Sequence, residues 1–303
     1  MPDNQTIGFI GLGAMGHPMT LRVAGGGYPM VVFDADKARA GTVAEEAGVK
    51  KAATPAELAA ESDIVITMLP SSAIVQSVLE GPDGVLAGIR PGTILLEMSS
   101  GVPKKTQELA EAVAKAGSTL LDAPVSGGVP RARTGELTIM VGGGDEAYAK
   151  AEPVLKTMGS SIIRTGSVGS AHAMKALNNL VSAGGFLIGI EALLIGSRFG
   201  LDPSLMVDVL NVSTGMNNST QKKFKQYVLS RKFDAGFGLD LMVKDLGIAL
   251  GVAEVTHTSA PFAALCRNLW SGAQSALGTG LDHTEVARFS ELLAGSELLG
   301  RDE

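Results

Sequence analysis

Residues 165–199 read TGSVGSAHAMKALNNLVSAGGFLIGIEALLIGSRF, and few folds can accommodate such a stretch. It contains no proline, opens after Gly166 and Gly169, and is apolar almost all round from 180 to 195. That pattern predicts a long buried helix joining two layers of a protein. A membrane span is disfavoured, because Asn178, Asn179 and Glu191 leave eleven uncharged, largely apolar positions between them, against roughly twenty needed to cross a bilayer. Gly185, Gly189, Ala192 and Gly196 form one stripe of small residues. Glycine costs about 1 kcal/mol against alanine inside a helix, so the stripe predicts close approach of another backbone. Lys175 and Asn179, four apart near the helix start, point from one face, and His172 shares it.

At 303 residues the chain is long enough for two domains, each with its own core. A net charge of −6 and the lack of any basic run argue against nucleic acid as a partner. An anionic substrate must therefore be drawn by local positive groups. The single cysteine, Cys266, lies in the apolar segment APFAALCRNLW and reads as a buried, inert thiol. The first residues, MPDNQT, are polar, with no basic region ahead of the apolar run that follows. The expectation is a soluble, cytoplasmic protein with no membrane partner.

Before the long helix, short apolar runs alternate with helical segments. Strands are expected at 6–10, 30–33, 63–69, 93–98, 118–121, 137–141 and 161–164, with a helix over 145–158. Thr54, Pro55 and Glu57 have the spacing of a helix start, as do Asp202 with Pro203, Asn218 with Ser219, and Asp282 with Glu285. After residue 165 every segment reads as helix. The predicted fold class is α/β: a doubly wound, Rossmann-type N-terminal domain with a parallel sheet over 1–165, and an all-helical C-terminal domain over 166–303. The second domain begins with the connecting helix 168–199.

Gly11, Leu12, Gly13, Ala14, Met15 and Gly16 follow the first strand at once and open a helix, and Asp34 closes the second strand. In that context GxGxxG binds a dinucleotide. Gly11 makes the tight turn, Gly13 admits the pyrophosphate, and Gly16 lets helix and strand pack. The phosphates then sit on a helix N-terminus. Asp34 is expected to bind the adenosine ribose hydroxyls and repel a 2′-phosphate, favouring NAD while leaving NADP possible. Lys37 and Arg39 follow closely. Leu69 with Pro70, and Ser100, should border the ribose and nicotinamide. Ser126, Gly127 and Gly128 should offer a hydroxyl and bare N–H groups to a carboxylate.

The chain resembles the β-hydroxyacid dehydrogenase family over nearly its whole length. The matching stretches are GFIGLGAMG (8–16), DAPVSGG (122–128), GxxxxxKxxNN (169–179) and LMVKDLGIA (241–249). The resemblance implies that Lys175 is the catalytic acid/base, that Asn179 holds the substrate, and that residues 126–128 bind its carboxylate. It also implies that Lys244 closes over the cofactor. Ala171 with His172, and the segment Val129, Pro130, Arg131, Ala132 and Arg133, depart from the usual pattern and are expected to face the far end of the substrate. His172 is expected to line the site and set substrate size.

The expected reaction is NAD-dependent hydride transfer to or from a short, three- to four-carbon, carboxylate-bearing β-hydroxyacid or semialdehyde, of 3-hydroxyisobutyrate dehydrogenase type. No metal-ligand spacing is present among the four histidines. Lys175 handles the proton, since burial beside a cofactor disfavours its charged form. Alternatives are a tartronate semialdehyde reductase, an L-threonate dehydrogenase, and an enzyme for sulfonate- or phosphonate-bearing hydroxyacids, with Arg131 and Arg133 as candidate anion contacts. Imine reduction is disfavoured by the lysine. A dinucleotide-sensing protein with a dead site is the non-enzymatic rival. A homodimer or homotetramer is expected.

Overall fold

The structure, a computed structural model, describes residues 5–299. The chain separates into two compact units, Met1–Lys175 and Ala176–Glu303. The division falls inside the continuous helix Ser170–Phe199.

In the first unit the described residues form a nine-stranded sheet: β1 (Ile7–Ile10), β2 (Met30–Phe33), β3 (Lys50–Lys51), β4 (Ile64–Thr67), β5 (Ile94–Glu97), β6 (Thr119–Asp122), β7 (Val125–Ser126), β8 (Leu137–Gly142) and β9 (Gly159–Gly166). The order is β3-β2-β1-β4-β5-β6-β8-β7, with β9 also on β8. Side chains alternate across each strand. Ile7, Phe9, Val32, Ile64, Ile66 and Leu96 face one core layer. Ile10, Val31, Val65, Leu95 and Leu120 face the other. Both faces are covered, so the strands read as unbroken apolar runs.

One expectation is corrected here. The sheet is parallel from β3 to β6, but β8 runs antiparallel to β6 and β7. The connection over 127–136 is short and turns back through the helix Gly128–Thr134, ending at Gly135 in the left-handed region. A parallel return needs a crossover of about a dozen residues or more. Strands β3 and β7 are additions to the expected set. Each has two residues, and β3 is an exposed lysine pair with no apolar pattern to announce it.

The helix starts follow local chemistry. Thr54 accepts the Glu57 N–H at 3.1 Å while the Glu57 carboxylate accepts from Ala53 at 2.8 Å. Asp202 accepts from Ser204 and Leu205 ahead of the helix Pro203–Asn211. The capping box at the third expected site is built by Asn217 and Thr220. Asp282 opens a 3₁₀ turn, His283–Glu285, before the helix Val286–Ala294.

The second unit is helical around Phe186, Phe224 and Trp270, with Phe186 edge-on to both other rings at 5.3 and 6.0 Å. By length and mean hydropathy (1.8) the long helix could cross a membrane, so counting residues between polar positions does not decide the matter. Packing does: Ala183, Phe186, Leu187, Ile190, Leu193 and Leu194 are buried in this core. The glycine stripe is also explained differently from the expectation. A Cβ at Gly189 would stand 2.6 Å from the Phe224 ring, and one at Gly196 would stand 2.3 Å from Met206 Cε. Side chains, not a second backbone, fill the space. Cys266 is buried, and burial pushes its thiol up to about 11, so it stays protonated.

Candidate active site

Strand β1 ends in the glycine turn at the point where the sheet order reverses between β1 and β4. Gly11 has φ +94°, and a Cβ there would lie 2.3 Å from the Met68 carbonyl oxygen. At Gly16 a Cβ would stand 1.8 Å from the Gly11 carbonyl oxygen, so only glycine lets the helix Gly16–Gly25 start against the strand. Gly13 has nothing within 4 Å of its Cβ position. That helix has no side-chain cap and no acid in its first turn, leaving its N–H groups and the positive end of its dipole for an anion. Asp34 is held beside the turn: one carboxylate oxygen accepts from the Leu12 N–H and the other from the Asp36 N–H, both at 2.8 Å. Arg39 stands 3.3 Å from the same carboxylate. These features fit a dinucleotide, with diphosphate on the open side of Gly13 and ribose at Asp34.

At the ends of β5 and β6, Glu97 and Asp122 are register neighbours and both are buried. Two carboxylates buried together are costly unless something neutralises them. Asp122 accepts the N–H groups of Gly169, Ala171 and His172 at 2.8, 2.9 and 3.0 Å. It thereby caps the first turn of the long helix, where the dipole favours negative charge. Glu97 takes the His172 side chain, with Nε2 at 2.8 Å, and accepts from the Ser99 N–H at 2.9 Å.

Both ring nitrogens of His172 have close polar partners. Thr106 Oγ1 lies 2.8 Å from Nδ1 and 3.1 Å from the Val102 carbonyl oxygen. Nε2 faces the Glu97 carboxylate and the Ser99 carbonyl oxygen, acceptors both. Burial alone would push the imidazole down, but the charge and hydrogen bond of Glu97, with Asp122 behind it, hold it above its ordinary value. Burial would likewise raise Glu97, yet His172 holds it below. With both nitrogens committed and the residue 1 % exposed, His172 has the contacts of a structural ion pair.

The network pins the start of the long helix to the strand ends. Lys175 follows one turn later, and only 7 % of it is exposed. Ser99 Oγ accepts from the Leu69 N–H at 2.9 Å, tying the Leu69 and Pro70 loop to the one bearing Ser100. Gly127 and Gly128, at φ +133° and +67°, follow Ser126. Arg131 and Arg133 are exposed. Arg133 lines an open cavity of about 610 Å³ with Ala14, His17 and Pro18.

In the second unit Asn179 Nδ2 donates to the buried Asp245 carboxylate at 2.6 Å, and Lys244 Nζ lies 3.5 Å from the other oxygen. Asp245, which holds Asn179, and Glu97 and Asp122, which hold the start of the long helix, are buried acids that spacing in the sequence did not single out. The available signal was an acid at the end of adjacent strands, and an acid directly after Lys244.

The model describing the NAD binding domain of 6-phosphogluconate dehydrogenase matches residues 6–166. The one describing the NAD-binding region of NADP-dependent 3-hydroxyisobutyrate dehydrogenase matches 169–290. Over 301 residues, 99 % of each chain, the protein is 36 % identical to 2-(hydroxymethyl)glutarate dehydrogenase of Eubacterium barkeri. The chain belongs to the β-hydroxyacid dehydrogenase family. It is 38 % identical to the 3-hydroxyisobutyrate dehydrogenase of Pseudomonas aeruginosa, over 93 % of this chain and 97 % of that one. A Mycobacterium tuberculosis 3-hydroxyisobutyrate dehydrogenase solved with L-serine superposes with a TM-score of 0.88 at 32 % identity, covering 95 % of this chain and 99 % of the other. This β-hydroxyacid dehydrogenase is accordingly an NAD(P)-dependent enzyme acting on CH–OH groups, with a Rossmann-type first unit and a helical second one.

Proposed function

We propose that the protein oxidises a short β-hydroxyacid to its semialdehyde, or runs that reaction in reverse, with NAD preferred to NADP. The observation that carries this reading is a buried lysine, Lys175, on a helix whose first turn is fixed by Asp122 and Glu97. Bound nicotinamide supplies the hydride acceptor. Lys175 accepts the hydroxyl proton as the C–H bond breaks, and returns it to the carbonyl oxygen in reduction. Ser126 and the N–H groups of Gly127 and Gly128 hold the carboxylate, Asn179 orients the hydroxyl, and Lys244 contacts the cofactor. The Leu69 and Pro70 loop and Ser100 border the nicotinamide ribose.

The test is NAD reduction, followed by absorbance, over a panel: 3-hydroxyisobutyrate, glycerate, threonate, 2-(hydroxymethyl)glutarate, and sulfonate or phosphonate analogues. Turnover of at least one is expected; a protein that binds NADH yet oxidises none would be a sensor, not an enzyme. Cofactor preference has its own readout. Asp34→Ser removes the charge facing a 2′-phosphate and releases Arg39, so the NADP-to-NAD ratio of kcat/KM should rise on the order of 10- to 100-fold. An unchanged ratio would mean that Asp34 does not read the ribose.

A cytoplasmic homo-oligomer completes the proposal. Val181, Ile188 and Ile195 recur every seven residues on the long helix and are 57–76 % exposed, an apolar stripe of the kind that pairs subunits. Light scattering on the purified protein should give at least twice the 31.1 kDa chain mass; a monomer at micromolar concentration removes this part of the proposal.

A further inference from the structure

Lys223 lies at the junction between the helix Asn218–Lys222 and the π-helix Phe224–Leu229, a helix type that recurs at functional sites. Its amine is half-buried, 3.5 Å from Ser182 Oγ and 5.9 Å from the centre of the Phe186 ring. Among the described residues no carboxylate lies within 4.0 Å of it. The contrast with Lys225 is direct: that side chain is paired with Asp208 at 2.6 Å. The acid whose charge acts on it, Asp282, accepts the N–H groups of Gly236, Phe237 and Thr284. A half-buried cation without a counter-ion is costly unless something anionic arrives.

Ser182, which the amine approaches, lies on the same long helix as Asn179 and Lys175. Ser182 is seven residues beyond Lys175 and three beyond Asn179. At 100° per residue all three project from one face, Ser182 about 10 Å along the axis from Lys175. Arg131 and Arg133, the sequence candidates for a second anion, are exposed on a different element.

We infer that Lys223, assisted by the Ser182 hydroxyl, binds an acidic group at the far end of the substrate, so that the preferred substrate is a β-hydroxyacid carrying a second anion. This rests on the hydroxyacid reaction proposed above. A carboxylate, sulfonate or phosphonate shares the required chemistry. Burial presses the amine down to about 8, against the pull of Asp282. The second-anion preference is therefore present below that pH and fades above it. The charged or titratable groups facing the amine are Asp282 and His283.

The test compares kcat/KM for 2-(hydroxymethyl)glutarate, a sulfonate analogue and 3-hydroxyisobutyrate in the wild type, Lys223→Met and Lys223→Arg. The ratio of two-anion to one-anion substrate should fall about 10- to 100-fold in Lys223→Met, the scale of one lost charged hydrogen bond. The loss should appear in KM, and Lys223→Arg should recover most of it. Which of the two anions falls further names the acid. In the wild type the ratio should drop above about pH 8, and in Lys223→Met it should be flat. An unchanged ratio overturns the inference while leaving the reaction standing. Should no hydroxyacid react, the reaction assignment fails separately, and binding decides the inference. Glutarate should then bind the NADH-loaded wild type at least tenfold more tightly than it binds NADH-loaded Lys223→Met, with butyrate as the one-anion control. Equal glutarate affinities would overturn it.

Discussion

Lys175→Ala should lower turnover by two to four powers of ten while leaving NAD affinity nearly intact. The size is that of general acid–base catalysis, and the reason is local. The residue is buried at a helix start that Asp122 and Glu97 hold in place. His172, the nearest alternative base by sequence, has both ring nitrogens committed to Glu97, Ser99 and Thr106. Lys175→Arg should be almost as damaging as alanine, because a guanidinium cannot release its proton in a protein. Single-turnover and steady-state rates with a competent hydroxyacid, beside an NADH fluorescence titration, give the two numbers needed. Turnover within threefold of wild type would take the lysine out of the mechanism.

Glu97→Ala should destabilise the first unit by about 3–5 kcal/mol, the cost of leaving a buried charge without its partner. It strips the counter-ion from His172 and the acceptor from the Ser99 N–H in one step. The effect should depend on pH in a direction the pair dictates. Glu97 is held below its ordinary value of 4.5, so its contribution is whole above that pH and is lost as the pH falls through the lowered folded value. His172 is held above its ordinary value of 6.5, so its contribution is whole below that pH and is lost as the pH rises through the raised folded value. Between 4.5 and 6.5 both hold. Urea unfolding should therefore separate wild type from Glu97→Ala most near pH 5.5 and less at pH 9. A gap below about 1 kcal/mol, or one that ignores pH, would show the pair to be dispensable. Glu97→Gln, which keeps an acceptor for Ser99, should fall between the two.

Much of the fold was legible because its signals are local. The capping residues Thr54 and Asp202 act within three or four positions, and their helices begin where those spacings put them. Unbroken apolar runs at β1, β2, β4 and β5 announced strands covered on both faces. The glycine turn could be placed because Gly11 and Gly16 answer steric demands from the backbone beside them, while Gly13 faces open space. By contrast, β8 reverses direction through a connection whose residues carry no orientation signal, and the two-residue strands β3 and β7 have no pattern at all. In the candidate site, Lys175 and Asn179 could be read from helix spacing. Their supports could not: Glu97 and Asp122 are ordinary strand-end acids until the helix 47–75 positions later brings them its N–H groups and an imidazole.

By itself the sequence determined the α/β order of the first unit, the helical second part, the dinucleotide turn and the lysine on the long helix, because periodicity and spacing act between near neighbours. Only the tertiary structure decided which charges are neutralised and which are not. It committed His172 to Glu97 and left Lys223 facing a hydroxyl, with no carboxylate within 4.0 Å among the described residues. Burial and Coulomb attraction depend on distances between residues remote in the chain, and those distances exist only once the chain has folded.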